Sequence, residues 1–236
     1  MKVHNMLNDE TVSVIMPVYN EGATVRSVIK RVLGQKAVDA LYIVYDKSTD
    51  NTLAEIRAAM KGSDAKGRAF LVMSDAKRGK GRAVKQGMAR IRDGIVLIQD
   101  ADEEYYPEDY PKMLAALTDS NPVFGSRESN AGHKYFLGSL ATVVHTLAFN
   151  LLYGQSIKDM NAAYKLFKVH MLKGKKLSED GWQIDQEIAC TLAKNGYRIL
   201  SVPIRYKGRT FEEGKKIGPK AAVMNLFYIV KERFSR

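Results

Sequence analysis

The run Gly94-Ile95-Val96-Leu97-Ile98-Gln99-Asp100-Ala101-Asp102 reads as a buried strand that delivers two carboxylates, one residue apart, to its carboxyl end. A strand alternates its side chains between faces. Where it breaks into a loop, however, an Asp-Ala-Asp turn can bring both acids onto one hard cation and leave other positions for water and phosphate oxygens. Taken alone, the same pattern is that of an ordinary acidic turn.

The beginning of the chain adds to it. Val12-Ser13-Val14-Ile15-Met16-Pro17-Val18-Tyr19-Asn20-Glu21 is a second strand ending in proline and polar residues, and Leu41-Tyr42-Ile43-Val44-Tyr45-Asp46 is a third that ends on an acid before Lys47-Ser48-Thr49-Asp50-Asn51-Thr52. Open α/β sheets bind ligands outside the carboxyl ends of their strands, so three such loops predict a nucleotide site. Strands are expected near 12–17, 40–46, 68–73, 94–99 and 121–125, with helices near 23–33, 51–60, 80–92 and 108–118 between them. That alternation predicts right-handed βαβ units and a mostly parallel, Rossmann-like central sheet flanked by helices. Asp50 is expected as a helix N-cap rather than a catalytic acid.

These ordered motifs resemble the family 2 glycosyltransferases of the GT-A fold, over nearly the whole chain from Val12 to about Ile217. Pro17-Val18-Tyr19-Asn20-Glu21 is similar to the family's opening nucleotide-binding loop and Asp46-Lys47-Ser48-Thr49-Asp50-Asn51-Thr52 to its second. Then follow Arg78-Gly79-Lys80-Gly81-Arg82-Ala83-Val84, the acidic stretch Gln99 to Tyr110, Gly125-Ser126-Arg127 and Asp159 to Phe167. Last come Val202 to Thr210 and Glu213-Gly214-Lys215-Lys216-Ile217. This last pair is similar to the branch that moves a hexose from a nucleotide sugar to a polyprenyl phosphate, the dolichol-phosphate mannosyltransferase-like enzymes.

The resemblance implies an inverting, metal-dependent transferase with a UDP- or GDP-hexose donor. Asp100 and Asp102 would bind Mg²⁺ or Mn²⁺, with Glu104 adding a further ligand. Pro17, Tyr19, Glu21, Asp46, Ser48, Lys80 and Ala101 would line the nucleotide-sugar site, and Arg209, Lys215 and Lys216 would close over the diphosphate, Arg as a fork and Lys as a point charge. Arg127, Lys134 and Asp159 would face the acceptor. Asp185 falls where many relatives place an acid toward the sugar pocket, a base or hydroxyl binder. Asp102, Asp185 and Arg209 are thus the expected catalytic residues, while Glu187, two residues further along the helix, points elsewhere. A phosphate acceptor is already a nucleophile and needs no dedicated base, whereas a sugar hydroxyl does. Two other readings stay open: a soluble or glycan hydroxyl acceptor, and an inactive nucleotide-binding module serving a partner transferase. Tyr45 in place of an acid, Lys47 in place of a glycine, Ser201 in place of a glutamate and Glu103 in place of an apolar residue depart from the family pattern.

Composition fits one domain spanning 1–236, with 1–10 as an N-terminal extension: 45% hydrophobic residues suffice for a large core. The net charge of +11 implies an anionic partner. The basic clusters lack aromatic interleaving or helix-turn-helix spacing, so no nucleic acid is expected. The single cysteine, Cys190, excludes an internal disulfide or a cysteine-based zinc cluster. The first ten residues lack a signal-peptide core, which predicts a cytoplasmic protein, free or peripheral on the cytoplasmic face of the membrane.

Residues 135–157 carry no Lys, Arg, Asp or Glu, yet Phe136, Leu140, Val143, Val144, Leu147 and Leu151 recur at helical spacing while Ser139, Thr142, His145, Thr146 and Asn150 share the other side. The pattern predicts an amphipathic helix that lies on something rather than through it: the sheet, a second copy, or the bilayer that carries a lipid acceptor. His145 is expected to be a buried polar residue rather than a ligand. Residues 219–234 pose the same choice with basic flanks.

Overall fold

Val12–Val18 (β1) and Ile95–Ile98 (β4) are the centre of the sheet, and their burial explains their composition: every residue of β4 is buried, and only Ser13 and Pro17 of β1 are partly exposed. Strands covered on both faces have no solvent side and therefore read as unbroken apolar runs. The computed structural model describes residues 11–74, 79–127, 136–173, 176–208 and 219–235. Within them the other strands are β2 (Val38–Tyr45), β3 (Ala69–Met73), β5 (Val123–Arg127), β6 (Lys165–Lys168) and β7 (Leu200–Ile204), in the spatial order β3-β2-β1-β4-β6-β5-β7. β6 runs antiparallel to both its neighbours, and the remaining pairs are parallel.

Successive residues feed opposite layers. Val14, Met16, Leu41 and Ile43 pack with α1 (Val25–Leu33), α2 (Thr52–Met60) and α4 (Tyr110–Leu114). Ile15, Val44, Val96 and Ile98 pack with α3 (Lys80–Met88), α5 (Phe136–Tyr153), α6 (Ile184–Lys194) and α7 (Pro219–Phe234). α1 shows why such segments become helices: Val25, Val28, Ile29, Val32 and Leu33 form one buried stripe, and each such side chain contributes about 1.5–3 kcal/mol when removed from water.

The structure differs from expectation in detail. β6 and β7 were not foreseen as strands: each is only four or five residues long, and a lysine opens one and a proline interrupts the other. The helix expected over 108–118 is a 3₁₀ turn, Pro107–Asp109, followed by the short α4. α3 stops at Met88, where Arg90 N–H turns back to the Gly87 carbonyl. Asp50 is not the N-cap of α2. That position is held by Asn51, whose side chain makes no capping bond, while Asp50 Oδ1 accepts from Thr52 N and Oγ1 and Oδ2 accepts from Gly22 N.

α3 sits on β1 through a glycine. A Cβ at Gly87 would stand 2.5 Å from Ile15 Cγ2. Alanine is the better helix former by ~1 kcal/mol. Gly87→Ala is nevertheless expected to destabilise the protein by about 1–3 kcal/mol through overpacking. Urea unfolding measures it, and a variant as stable as the parent would contradict this seating of α3.

Candidate functional site

Topology gathers the site before any side chain is considered. β1, β2 and β4 are parallel, with Val18 level with Tyr45 and Ile15 level with Ile98, so the loops beginning at Tyr19, Asp46 and Gln99 leave one edge of the sheet. Between β1 and β4 the strand order reverses, the switch point where α/β sheets open a crevice. The antiparallel β6 starts where β4 ends, which brings Asp159–Lys165 to the same edge, and β5 and β7 end there together, with Arg127 level with Ile204.

The first two loops are tied to each other. Asn20 N donates to Ser48 Oγ (2.9 Å), Thr49 N to Asn20 Oδ1 (2.8 Å) and Glu21 N to Thr52 Oγ1 (2.9 Å). Asn20 and Lys47 both have positive φ, 50° and 37°. Asparagine tolerates that region, whereas at Lys47 a side chain occupies a conformation that favours glycine, the residue that the family pattern carries there. Tyr45 is buried and donates to the Ser48 carbonyl, so it props up the loop from beneath. Pro17 lies past the last β1 residue paired with β4. Tyr19 is half-buried, and the single proton of the Thr24 hydroxyl is shared between Glu21 Oε2 at 3.1 Å and the Ala101 carbonyl at 3.0 Å, linking the start of α1 to the acidic turn.

Asp46 is buried and its Oδ2 accepts from Gly79 N (2.8 Å), which anchors the start of α3. There stands Lys80. Its Nζ is 3.0 Å from Asp100 Oδ1 and 3.0 Å from Asp185 Oδ2, with the Trp182 ring beside it. On the far side of Asp185, Lys165 Nζ approaches Oδ1 at 3.7 Å and donates to the Ala162 carbonyl at 2.6 Å. Burial alone would lower the pKa of the Lys80 ammonium, but the two carboxylates reverse this and hold it above the ordinary lysine value. Burial would likewise raise Asp185, and the flanking lysines instead hold it below the ordinary range. Lys165 goes the other way: burial outweighs Asp185 and lowers it.

Asp102 is buried, and its Oδ1 accepts from Glu104 N; Glu104 Oε2 accepts from Tyr206 Oη at 3.0 Å, and Glu103 faces solvent. Arg127 forms a two-pronged pair with Asp159, Nε to Oδ2 at 2.6 Å and Nη2 to Oδ1 at 3.0 Å, and its guanidinium lies over the Tyr206 ring. Among the described residues no group of three or more His, Cys, Asp or Glu is placed to hold a metal ion. Lys134, Arg209, Lys215 and Lys216 lie outside the described residues. Glu187 turns away from the site, as its helix position requires, and accepts from Ser178 and Glu179 backbone N–H groups.

Sequence reasoning missed Lys165 and the polar lock behind Arg127. Lys165 had a signal: a lysine directly before Leu166-Phe167, inside a segment otherwise apolar enough to be a strand. The lock had none, because it joins residues distant in sequence. Asn161 Nδ2 donates to His145 Nδ1 and Thr142 Oγ1, Gln186 Nε2 donates to Asn161 Oδ1, and Arg127 Nη2 reaches Thr142 Oγ1. Since His145 Nε2 faces the Ala222 carbonyl at 2.9 Å, that nitrogen carries the proton. His145 is thus the buried polar residue expected.

Residues 13–173 match the family model described as Glycosyl transferase family 2. The chain is 30% identical over 210 residues to glycosyltransferase AglJ of Haloferax volcanii, across 86% of this chain but only 65% of that one, so it spans about two thirds of that relative. Identity to the undecaprenyl-phosphate mannosyltransferase of Micrococcus luteus is 26% over 216 residues, covering 86% of each. Among solved structures, glucosyl-3-phosphoglycerate synthase of Mycobacterium tuberculosis, in complex with Mn²⁺, UDP and phosphoglyceric acid, has a TM-score of 0.70 at 19% identity. The match covers 95% of this chain and 78% of that one, a likeness of fold.

The buried charge cluster carries a pH dependence. Because the folded-state pKa of Asp185 lies below its ordinary 3.8, its stabilisation is complete above that value and is lost as pH falls through the lowered one. Asp185→Asn is expected to cost about 3 kcal/mol near neutral pH, by leaving two buried lysines short of a counter-charge. The gap between parent and variant should narrow as pH falls below about 4, where the unfolded-state carboxyl begins to protonate, and close as pH passes the lowered folded-state value. Urea midpoints across that range test it; a gap that stays constant down to about pH 2 would show that Asp185 is not held ionised by its neighbours.

Proposed function

The chain belongs to glycosyl transferase family 2, and we propose that this glycosyltransferase moves a hexose from a nucleoside diphosphate sugar to a polyprenyl phosphate with inversion at the anomeric carbon. Its fold is the GT-A architecture, with the donor loops at the carboxyl edge of the sheet. Transfer needs charge neutralised on the departing diphosphate and an acceptor oxygen held in line.

The observation that carries the acceptor reading is the contrast between Asp185 and Arg127. Asp185 is clamped between two lysines and held below the ordinary carboxylate range, which makes it a poor base for a sugar hydroxyl. A phosphate monoester asks for no base but does need a cation, and Arg127 stands at the end of β5 on the same edge. Asp159 holds the guanidinium plane until a phosphate competes for it. The relatives named for undecaprenyl phosphate point to the same acceptor class.

For the donor side, the residues present fit a divalent cation: Asp100 and Asp102 are hard oxygen donors on one turn, the set that suits Mg²⁺ or Mn²⁺. When bound there, the ion would supply positive charge to the leaving diphosphate. Asp46 and Gly79 fix Lys80 beside it. Glu104 would join as a ligand by leaving Tyr206, and Arg209, Lys215 and Lys216 would cover the diphosphate.

A lipid acceptor requires access to a membrane. No helix among the described residues is long and apolar enough to cross one. α5 and α7 pack together and leave Leu147, Leu151, Val223, Phe227 and Phe234 exposed. With Lys231 and Arg233 on α7 and a net charge of +11, that face suits the surface of an anionic bilayer and a peripheral, cytoplasmic-side enzyme. Replacing Leu151 and Phe227 by glutamate is expected to abolish co-flotation with vesicles of anionic lipid; unchanged flotation would remove the membrane role, and a parent that sediments as a dimer without lipid would assign the face to a second copy.

Turnover is tested with a panel of UDP- and GDP-hexoses, a short-chain polyprenyl phosphate and Mn²⁺ or EDTA. Transfer is expected only with metal, and both Asp102→Ala and Arg127→Ala should lose on the order of 10²–10³-fold. Undiminished transfer by Asp102→Ala would end the metal assignment, and preferential transfer to hydroxyl acceptors would end the lipid-phosphate one.

A further inference from the structure

Lys80 occupies a peculiar place for a cation. Its side chain is 7% exposed, and its ammonium lies 3.0 Å from Asp100 Oδ1, one of the two carboxylates assigned above to the divalent ion. A resident positive charge at that distance repels a second cation and already satisfies the carboxylate that would bind it. The backbone beneath is rigidly set: Gly79 N is held by Asp46, Gly81 N donates to the Gly181 carbonyl at 3.1 Å and Arg82 N to the Asp180 carbonyl at 3.2 Å. A Cβ at Gly79 or Gly81 would collide with the 179–181 backbone, so α3 cannot come closer or slide. What remains adjustable is the four-carbon stem of Lys80, a flexible carrier of a point charge.

We infer that Lys80 is a placeholder cation: it neutralises Asp100 in the nucleotide-free enzyme and transfers to the diphosphate when the donor arrives, so that metal and nucleotide bind as a coupled pair. The inference rests on the reading of Asp100 and Asp102 as metal ligands. Lys165 makes the exchange affordable. When Lys80 moves off, Asp185 keeps Lys165 at 3.7 Å and is not left as an uncompensated buried charge. The diphosphate in turn brings the negative charge that replaces Asp100 and Asp185 as the partner of Lys80. Coupling of this kind is reciprocal: the factor by which nucleotide tightens metal binding equals the factor by which metal tightens nucleotide binding.

The test is calorimetric titration of Mn²⁺ into the full chain, without nucleotide and with UDP or GDP. The parent is expected to bind Mn²⁺ weakly alone and more tightly with one nucleotide. Lys80→Met and Lys80→Gln should bind Mn²⁺ alone ~10-fold or more tighter than the parent, with the nucleotide's added effect reduced, whereas Lys80→Arg should stay as weak as the parent. Circular dichroism confirms which variants are folded, and two neutral replacements guard against one that is not. Neutral variants that bind Mn²⁺ alone no tighter than the parent, while the parent binds it with nucleotide and Asp102→Ala does not, would overturn the placeholder role and leave the metal site standing. Absence of Mn²⁺ binding in every protein with either nucleotide would remove the metal site and the inference with it.

Discussion

A lysine ammonium held between two aspartates, 3.0 Å from each, is the contact on which the rest of the site depends. It joins the start of α3, the end of β4 and the first turn of α6, and Lys165 extends it to the start of β6. Lys80 and Asp185 are 105 residues apart in the chain. Taking such charges out of water is costly, and the cost is met only while each buried charge keeps an opposite one beside it. The cluster therefore does more than bind. It makes the relative position of four elements a condition for keeping the charges compensated, and it holds Asp185 below the ordinary carboxylate range.

The edge on which this cluster sits follows from strand direction. Parallel β1, β2 and β4 deliver three loops to one side, as in any doubly wound sheet. The antiparallel β6 adds a second set of side chains to this crevice, because it enters the sheet from the same edge and carries Asp159 and Lys165 with it. Asp159 then meets Arg127 from β5, and the Tyr105–Tyr206 bridge brings the end of β7 against the acidic turn.

Behind Arg127, the α5–α7 layer is attached to the site by polar contacts rather than by apolar packing alone. His145 spans the gap from Asn161 to the Ala222 carbonyl, and Gln183 Nε2 donates to Asn225 Oδ1. Buried polar groups demand specific partners, whereas apolar contacts tolerate sliding. These bonds set the register of α7 against α5 and α6 and so decide which residues of the pair are left facing outward. The exposed apolar face and Arg127 are consequently joined by one chain of hydrogen bonds.

Much of this was legible in the chain. Period-2 and period-3.6 patterns are local consequences of burial, so β1 to β5 and the main helices could be placed from residues alone. Asp100 and Asp102 could be picked out because both lie on one turn, Tyr19 and Asp46 because each directly follows a strand, and Ser48 because it lies in the loop that Asp46 opens. The sequence by itself determined the α/β class, the side of the sheet that carries the loops and the acids of the β4 turn. Only the tertiary structure decided which charges meet. Lys80 against Asp100 and Asp185, Lys165 behind Asp185, Arg127 against Asp159 and His145 against Ala222 join elements distant in the chain, and no local pattern encodes such a pairing, because Coulomb and hydrogen-bond partners are chosen by distance in space and by shared exclusion from water.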